Sequence, residues 1–267
     1  MARPFQHLRP KVIGLGPAKG RSRAKVLFLH GAWVGPWYWE VLAQAAAGAG
    51  FGVSLLELPG HGDAPWTLPA FTSLNDYADL AARAAGELGR PILVGHSMGG
   101  WLVQKILEKS DLPAALLTPL PGTGLPLLGL ARFLAALPAA LPGTFRGRPL
   151  AVPDARTARR MFFCDLPETD LQTLMARLVP EPARVSLEMG LGLARARPAP
   201  GRAPRLVLAA GRDFFMPVKA MQSLARRLGA GFKLLPRHPH DLWLEDPQGE
   251  VAPILLDFLE VAARYAG

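Results

Sequence analysis

Residues 92–103 read ILVGHSMGGWLV. An apolar run of strand length meets a segment with helical spacing, and Gly95, Ser97 and Gly99 stand at the junction. A chain turning that sharply from strand to helix lifts the central side chain clear of the sheet. The turn crowds the positions two before and two after it, so small residues are required there. The following helix aims its N-terminal N–H groups at the same point, where they favour developing negative charge. Ser97 is therefore the candidate nucleophile. A serine hydroxyl attacks a carbonyl only when a base takes its proton. His96 is adjacent in sequence, but the turn directs it away from the Ser97 oxygen. It reads as a packing residue, and the base must come from elsewhere.

Strands and helices alternate around this junction. KVLFLHG (25–31), GVSLLELPG (52–60), PILVG (91–95), PAALLTP (113–119), PRLVLAAG (204–211) and GFKLLP (231–236) read as strands. Helical spacing fills the intervals, for example in SLNDYADLAARAAGEL (73–88), where Ser73 with Asp76 three residues on marks a helix start. The pattern predicts an α/β fold, a doubly wound and mostly parallel sheet. It lapses over residues 120–200, where helix-like pieces such as ARTARRMFFC and TDLQTLMARLV stand among Pro and Gly. The expected organisation is a basic N-terminal arm (1–24), a core (25–119 and 201–267) and a helical cap (120–200) inserted after the strand that follows the nucleophile helix.

The bulk composition narrows the function. A chain of 267 residues, 50% hydrophobic and 19% charged, suits one sizeable domain with a full core. Its single cysteine, Cys164, allows neither an internal disulfide nor a cysteine metal cluster, and it reads as a small packing residue. The first 25 residues lack an apolar core of signal-peptide length, so a cytoplasmic location is expected. Seven Lys/Arg precede the first acid, Glu40, which fits a solvated arm, although a transit peptide has the same bias. Net charge is +9. No nucleic-acid motif accompanies it, and aromatics are not interleaved with the basic residues, so no nucleic-acid partner is expected. Contact with a membrane surface stays open, as does oligomeric state. The apolar stretch 112–142 is broken by Pro119, Pro121, Pro126, Pro138 and Arg132, and reads as cover over something apolar rather than a span. Between Glu188 and Asp213 lie Arg195, Arg197, Arg202, Arg205 and Arg212 with no acid. That run is either a solvated face or an attractor of anionic substrate.

Two more groups complete a serine mechanism. Asp213, in LVLAAGRDFFMP, stands three residues beyond a strand, at the carboxyl edge where Ser97 sits. The next strand runs into RHPHDLW, so His238 or His240 reaches the same edge. The chain order is then Ser, Asp, His. The anion formed on attack needs fixed donors, and the backbone N–H groups of Ala32 and Met98 are the candidates. His30, before Gly31 at a strand end, reads as a hydrogen-bonding brace. Trp33, Phe133 and Phe162 are the candidates for substrate contact, and no metal site is expected.

LFLHGAWVGPWYWEVL, LELPGHGDAPW, ILVGHSMGGWLV, LAAGRDFFMP and HPHDLWLEDP stand in an order that resembles the α/β-hydrolase fold superfamily, over nearly the whole chain except the arm and the cap. The resemblance implies a Ser–His–Asp triad, an oxyanion site of two backbone N–H groups and no cofactor. It also separates the two histidines. Members often carry Glu-x-Pro five residues after the catalytic histidine, and Glu245-Asp246-Pro247 stands five beyond His240. The glycine usual before that histidine is replaced by Pro239, which fixes the approach of the chain. The HGAWVGPWYW opening resembles a branch of plant-type esterases and hydroxynitrile lyases, but the lyases carry lysine after the histidine where this chain has Asp241. The implied activity is hydrolysis of a small apolar carboxylic ester through an acyl-enzyme. Acyl thioesterase, C–C bond hydrolase, cofactor-free haloperoxidase and non-catalytic ligand-binding receptor are the alternatives on this fold.

Overall fold

The computed structural model describes residues 8–16, 22–62 and 71–266. Seven strands form one sheet: β1 (Lys11–Leu15), β2 (Lys25–Leu29), β3 (Gly52–Glu57), β4 (Ile92–His96), β5 (Ala114–Leu117), β6 (Arg205–Ala210) and β7 (Gly231–Leu235), in the spatial order β1-β3-β2-β4-β5-β6-β7. All neighbours pair in parallel except β1, which runs antiparallel to β3. The six expected strands are β2 to β7, and the sheet is mostly parallel as the alternation implies.

Strand β1 corrects the reading of residues 1–24 as a solvated arm. Lys11 to Leu15 pair along Glu57 to Val53, and Lys11 Nζ lies 2.8 Å from the Glu57 carboxylate. An edge strand is bonded on one side and only half buried, so it needs no continuous apolar run and left none in KVIGL. Residues 1–7 and 17–21 of that arm lie outside the described residues.

Helices cover both faces. Alternate residues of the central strands, Leu27, Leu29, Leu93, Leu116 and Val207, pack against α2 (Leu74–Glu87), α3 (Met98–Ile106) and α9 (Val218–Leu228). The residues between them, including Val26, Phe28, Ile92, Val94 and Leu117, pack against α1 (Glu40–Gly48) and α10 (Val251–Ala266). This is the two-sided burial that a parallel sheet demands. Between β5 and β6 come α4 (Leu127–Ala136), α5 (Leu141–Phe145), α6 (Ala155–Met161), α7 (Glu168–Met175) and α8 (Ala183–Leu191). Glu188 on α8 ties this insertion to the core by accepting the Leu74 N–H at the start of α2, at 2.7 Å. Among the described residues no helix is long and apolar enough to cross a membrane.

Because β2, β4, β5, β6 and β7 are parallel, the loops after them open at one edge. Those loops hold Ala32, Ser97, Thr118, Asp213 and His240 respectively.

Candidate active site

Ser97 occupies φ +50°, ψ −116°, between β4 and α3. A side chain at positive φ is strained by roughly 1–3 kcal/mol and persists only where its surroundings hold it. They do so here by backbone bonds: the Ser97 N–H donates to the Leu117 carbonyl at 3.2 Å, and its carbonyl accepts the Leu120 N–H at 2.9 Å. The flanking glycines are sterically required. A Cβ on Gly99 would stand 1.9 Å from the Leu29 carbonyl oxygen, and one on Gly95 2.5 Å from that of Gly99.

His240 and Asp213 meet at this edge. His240 Nδ1 lies 2.8 Å from Asp213 Oδ2, and both side chains are buried. Asp213 is itself aimed: its Oδ1 accepts the N–H groups of Phe215 at 2.7 Å and Met216 at 2.9 Å. A carboxylate only accepts, so His240 carries its proton on Nδ1, which leaves Nε2 with a lone pair when the ring is neutral. Burial works against charging the ring, but the Asp213 carboxylate outweighs it, and the His240 pKa lies above its ordinary 6.5.

The backbone of His240 is pinned from behind. Its carbonyl accepts the Thr118 hydroxyl at 3.0 Å and the His96 Nε2–H at 3.2 Å. His96 therefore braces the loop that carries His240. Burial, and then the neighbouring His240, hold it neutral, its pKa well below the ordinary value. Asp241 accepts the Tyr38 hydroxyl, and its Oδ1 lies 3.6 Å from His96 Nε2. Burial lifts its pKa to about 6 against the lowering pull of His240 and of the Tyr38 hydrogen bond. His238 lies elsewhere: its Nε2 stands 3.1 Å from Asp246 Oδ1, and Asp246 also accepts the Val251 N–H at the start of α10.

The candidate anion donors flank Ser97. Met98 opens α3, a position whose N–H has no acceptor within its own helix. Among the described residues the Ala32 N–H has no acceptor either. His30 braces the loop below: its Nδ1 faces the Gly31 carbonyl at 2.8 Å and its Nε2 accepts the Leu58 N–H at 3.3 Å. Burial, and then the nearby His61, lower its pKa to about 3, so it stays a neutral brace.

Two small apolar cavities adjoin Ser97. One, of about 30 Å³, is walled by Trp33, Leu125, Phe133, Met189 and Phe215 beside Ala32 and Ser97. The other, of about 10 Å³, lies between Ser97, His240, Trp33 and Phe162. All three residues named for substrate contact therefore border the serine. Phe215 adds a ring edge-on to His240, with centroids 5.0 Å apart. Of the remaining apolar residues near α4, Leu127 and Leu128 turn outward, and Leu127 is 84% exposed.

The sequence profile of the alpha/beta hydrolase family matches residues 26–254. The chain belongs to the alpha/beta hydrolase family. This hydrolase is similar to Methylesterase 18 of Arabidopsis thaliana, with 27% identity over 257 residues that span 85% of this chain and 94% of the relative. Among solved structures it resembles the monoacylglycerol lipase of Paleococcus ferrophilus, with TM-score 0.71 and 21% identity over 96% of this chain and 100% of that one. It also resembles an esterase of Exiguobacterium antarcticum, with TM-score 0.74 and 16% identity over 94% and 95% of the two chains. At those identities the structures speak for the fold.

Some residues of the hydrolase site left no signal in the sequence. Thr118 sits at φ +40° after β5 and bonds the His240 carbonyl. Glu181, between two prolines of the insertion, is fully buried against the loop after β2. Phe215 stood within the aspartate motif, but only the fold turns its ring onto His240.

Proposed function

We infer that the protein is a serine esterase acting on small carboxylic esters with an apolar acyl part. The observation that carries this reading is the His240–Asp213 hydrogen bond at a cavity that His240 shares with Ser97. His240 takes the Ser97 proton on Nε2 as the serine oxygen bonds to the ester carbonyl carbon. Asp213 holds the ring and stabilises the imidazolium. The carbonyl oxygen, now anionic, receives the Ala32 and Met98 N–H groups. The tetrahedral species collapses, the alkoxide leaves with the proton from His240, and water then attacks the acyl-enzyme with His240 again as base.

The apolar walls favour an apolar acyl group. Their cavity of about 30 Å³ is far below the several hundred Å³ that a bound small molecule needs. Entry of substrate therefore displaces part of the inserted helices, which act as a cap that shapes the acyl site. Neither cofactor nor metal takes part in these steps.

A fluorophosphonate probe should label Ser97, and the Ser97→Ala variant should not be labelled. Ser97→Ala and His240→Ala should each lower kcat for p-nitrophenyl butyrate by several orders of magnitude, roughly 10⁴-fold or more. His238→Ala should leave most activity. Well-folded protein that resists the probe would point to the non-catalytic receptor instead.

A further inference from the structure

Trp33 follows the candidate anion donor Ala32 and sits at φ +62°, where a tryptophan is strained. Each of its polar groups is held by the insertion. Its N–H donates to Glu181 Oε1 at 3.1 Å, its carbonyl accepts the Val179 N–H at 2.9 Å, and its indole N–H donates to the Leu150 carbonyl at 2.9 Å. Leu150 and Glu181 bond each other in both directions, at 2.8 and 2.9 Å, so the three contacts form one rigid clamp.

The acid in this clamp is fully buried and paired. Glu181 Oε1 also accepts His61 Nε2, and His61 Nδ1 faces the Pro59 carbonyl at 3.1 Å. Both ring nitrogens of His61 face acceptors when the acid is ionised, and although burial works against charging the ring, Glu181 outweighs it and holds the His61 pKa above its ordinary 6.5. The proton matters for chemistry next door. A lone buried carboxylate bonded to the Trp33 N–H, one residue from Ala32, would oppose an anion forming at Ala32, and a charged His61 offsets it.

We propose that Glu181 is a positioning residue for the Ala32 donor, with His61 as its charge partner. By holding the Trp33 N–H it fixes the peptide that joins Ala32 to Trp33, and so the direction of the donor loop. The assignment rests on the serine esterase reading and names how the insertion takes part in it. The groups facing His61 are Glu181 from the insertion, Glu57 from β3, His30 after β2 (ring centroids 5.0 Å apart) and Tyr77 from α2 (5.8 Å).

The test compares Glu181→Ala and Glu181→Gln in the full chain, with circular dichroism to check the fold. Glu181→Ala should lower kcat for p-nitrophenyl butyrate roughly 10- to 100-fold with KM changed less than about threefold, because a displaced anion donor weakens the transition state and not the ground state. Glu181→Gln keeps an acceptor for Trp33 and should regain most of that loss. Wild-type kcat should also fall on an alkaline limb as His61 loses its proton and leaves Glu181 uncompensated; Glu181→Gln, having no such charge, should lack that limb. A folded Glu181→Ala with wild-type kcat overturns the proposal. If Glu181→Ala does not fold, the glutamine variant decides alone: an alkaline limb unchanged from wild type overturns it. Failure of the probe to label wild-type Ser97 would instead refute the underlying esterase reading.

Discussion

Pro239 separates two histidines that are both buried, yet their side chains serve different partners. His238 turns to Asp246 at the start of α10, while His240 turns to Asp213 at the serine. A pH profile tests the second arrangement. On the proposed mechanism His240 works only when neutral, and against burial Asp213 raises its pKa above 6.5. Activity should therefore be lost on the acid side: kcat/KM should rise with pH through a midpoint above 6.5. Asp213→Asn removes the raising charge, so the midpoint should move down while kcat falls by roughly three to four orders of magnitude. A midpoint unmoved by that substitution would place the titration on another group. Ser97 was legible because its turn demands glycine two residues before and two after it, at Gly95 and Gly99, a purely local constraint. His240 could be separated from His238 only by the spacing to Glu245, since the directions of both rings depend on residues from other elements. Glu181 and Thr118 were illegible for the same reason: each acts through a contact more than a hundred residues away.

At the level of elements, the central strands were readable because burial on both faces requires continuous apolar runs, as in VLFL and ILV. The half-buried edge strand β1 has no such run. Helix α2 was readable from its first turn. Ser73 Oγ accepts the Asp76 N–H at 3.2 Å, and Asp76 Oδ2 accepts the Ser73 N–H at 2.9 Å. Both residues are buried, so loss of the hydroxyl leaves the Asp76 N–H only the Ser73 carbonyl, at 3.1 Å, as acceptor. Ser73→Ala should cost about 1–2 kcal/mol, read as a lower urea midpoint at unchanged slope. A loss below about 0.3 kcal/mol would mean that the first turn is held from elsewhere, the Glu188 bond to Leu74 being the nearest alternative. The insertion resisted detailed reading because its short helices are fixed by clasps to the core, not by their own periodicity.

For the molecule as a whole, charge read along the chain overstated free charge in space. Of the acid-free arginine run, Arg205 pairs with Asp111 at 3.1 Å and Arg212 with Asp165. Arg195 and Arg197, with Arg227 of α9, border a separate cavity of about 340 Å³. The sheet itself has two ends, β1 and β7. Among the described residues the outer row of N–H and C=O groups on β7 meets no further strand, and beside it Phe232 is half-buried and Leu234 is 37% exposed. Such an edge can template the matching edge of a second copy, and an exposed lysine opposes this because two copies would bring two like charges together. Lys233 occupies that position, in the middle of the strand. Lys233→Val should thus leave the unfolding midpoint within about 0.5 kcal/mol of wild type, yet make light scattering grow with concentration on warm incubation. That one lysine would then set how concentrated this hydrolase can be before copies join edge to edge.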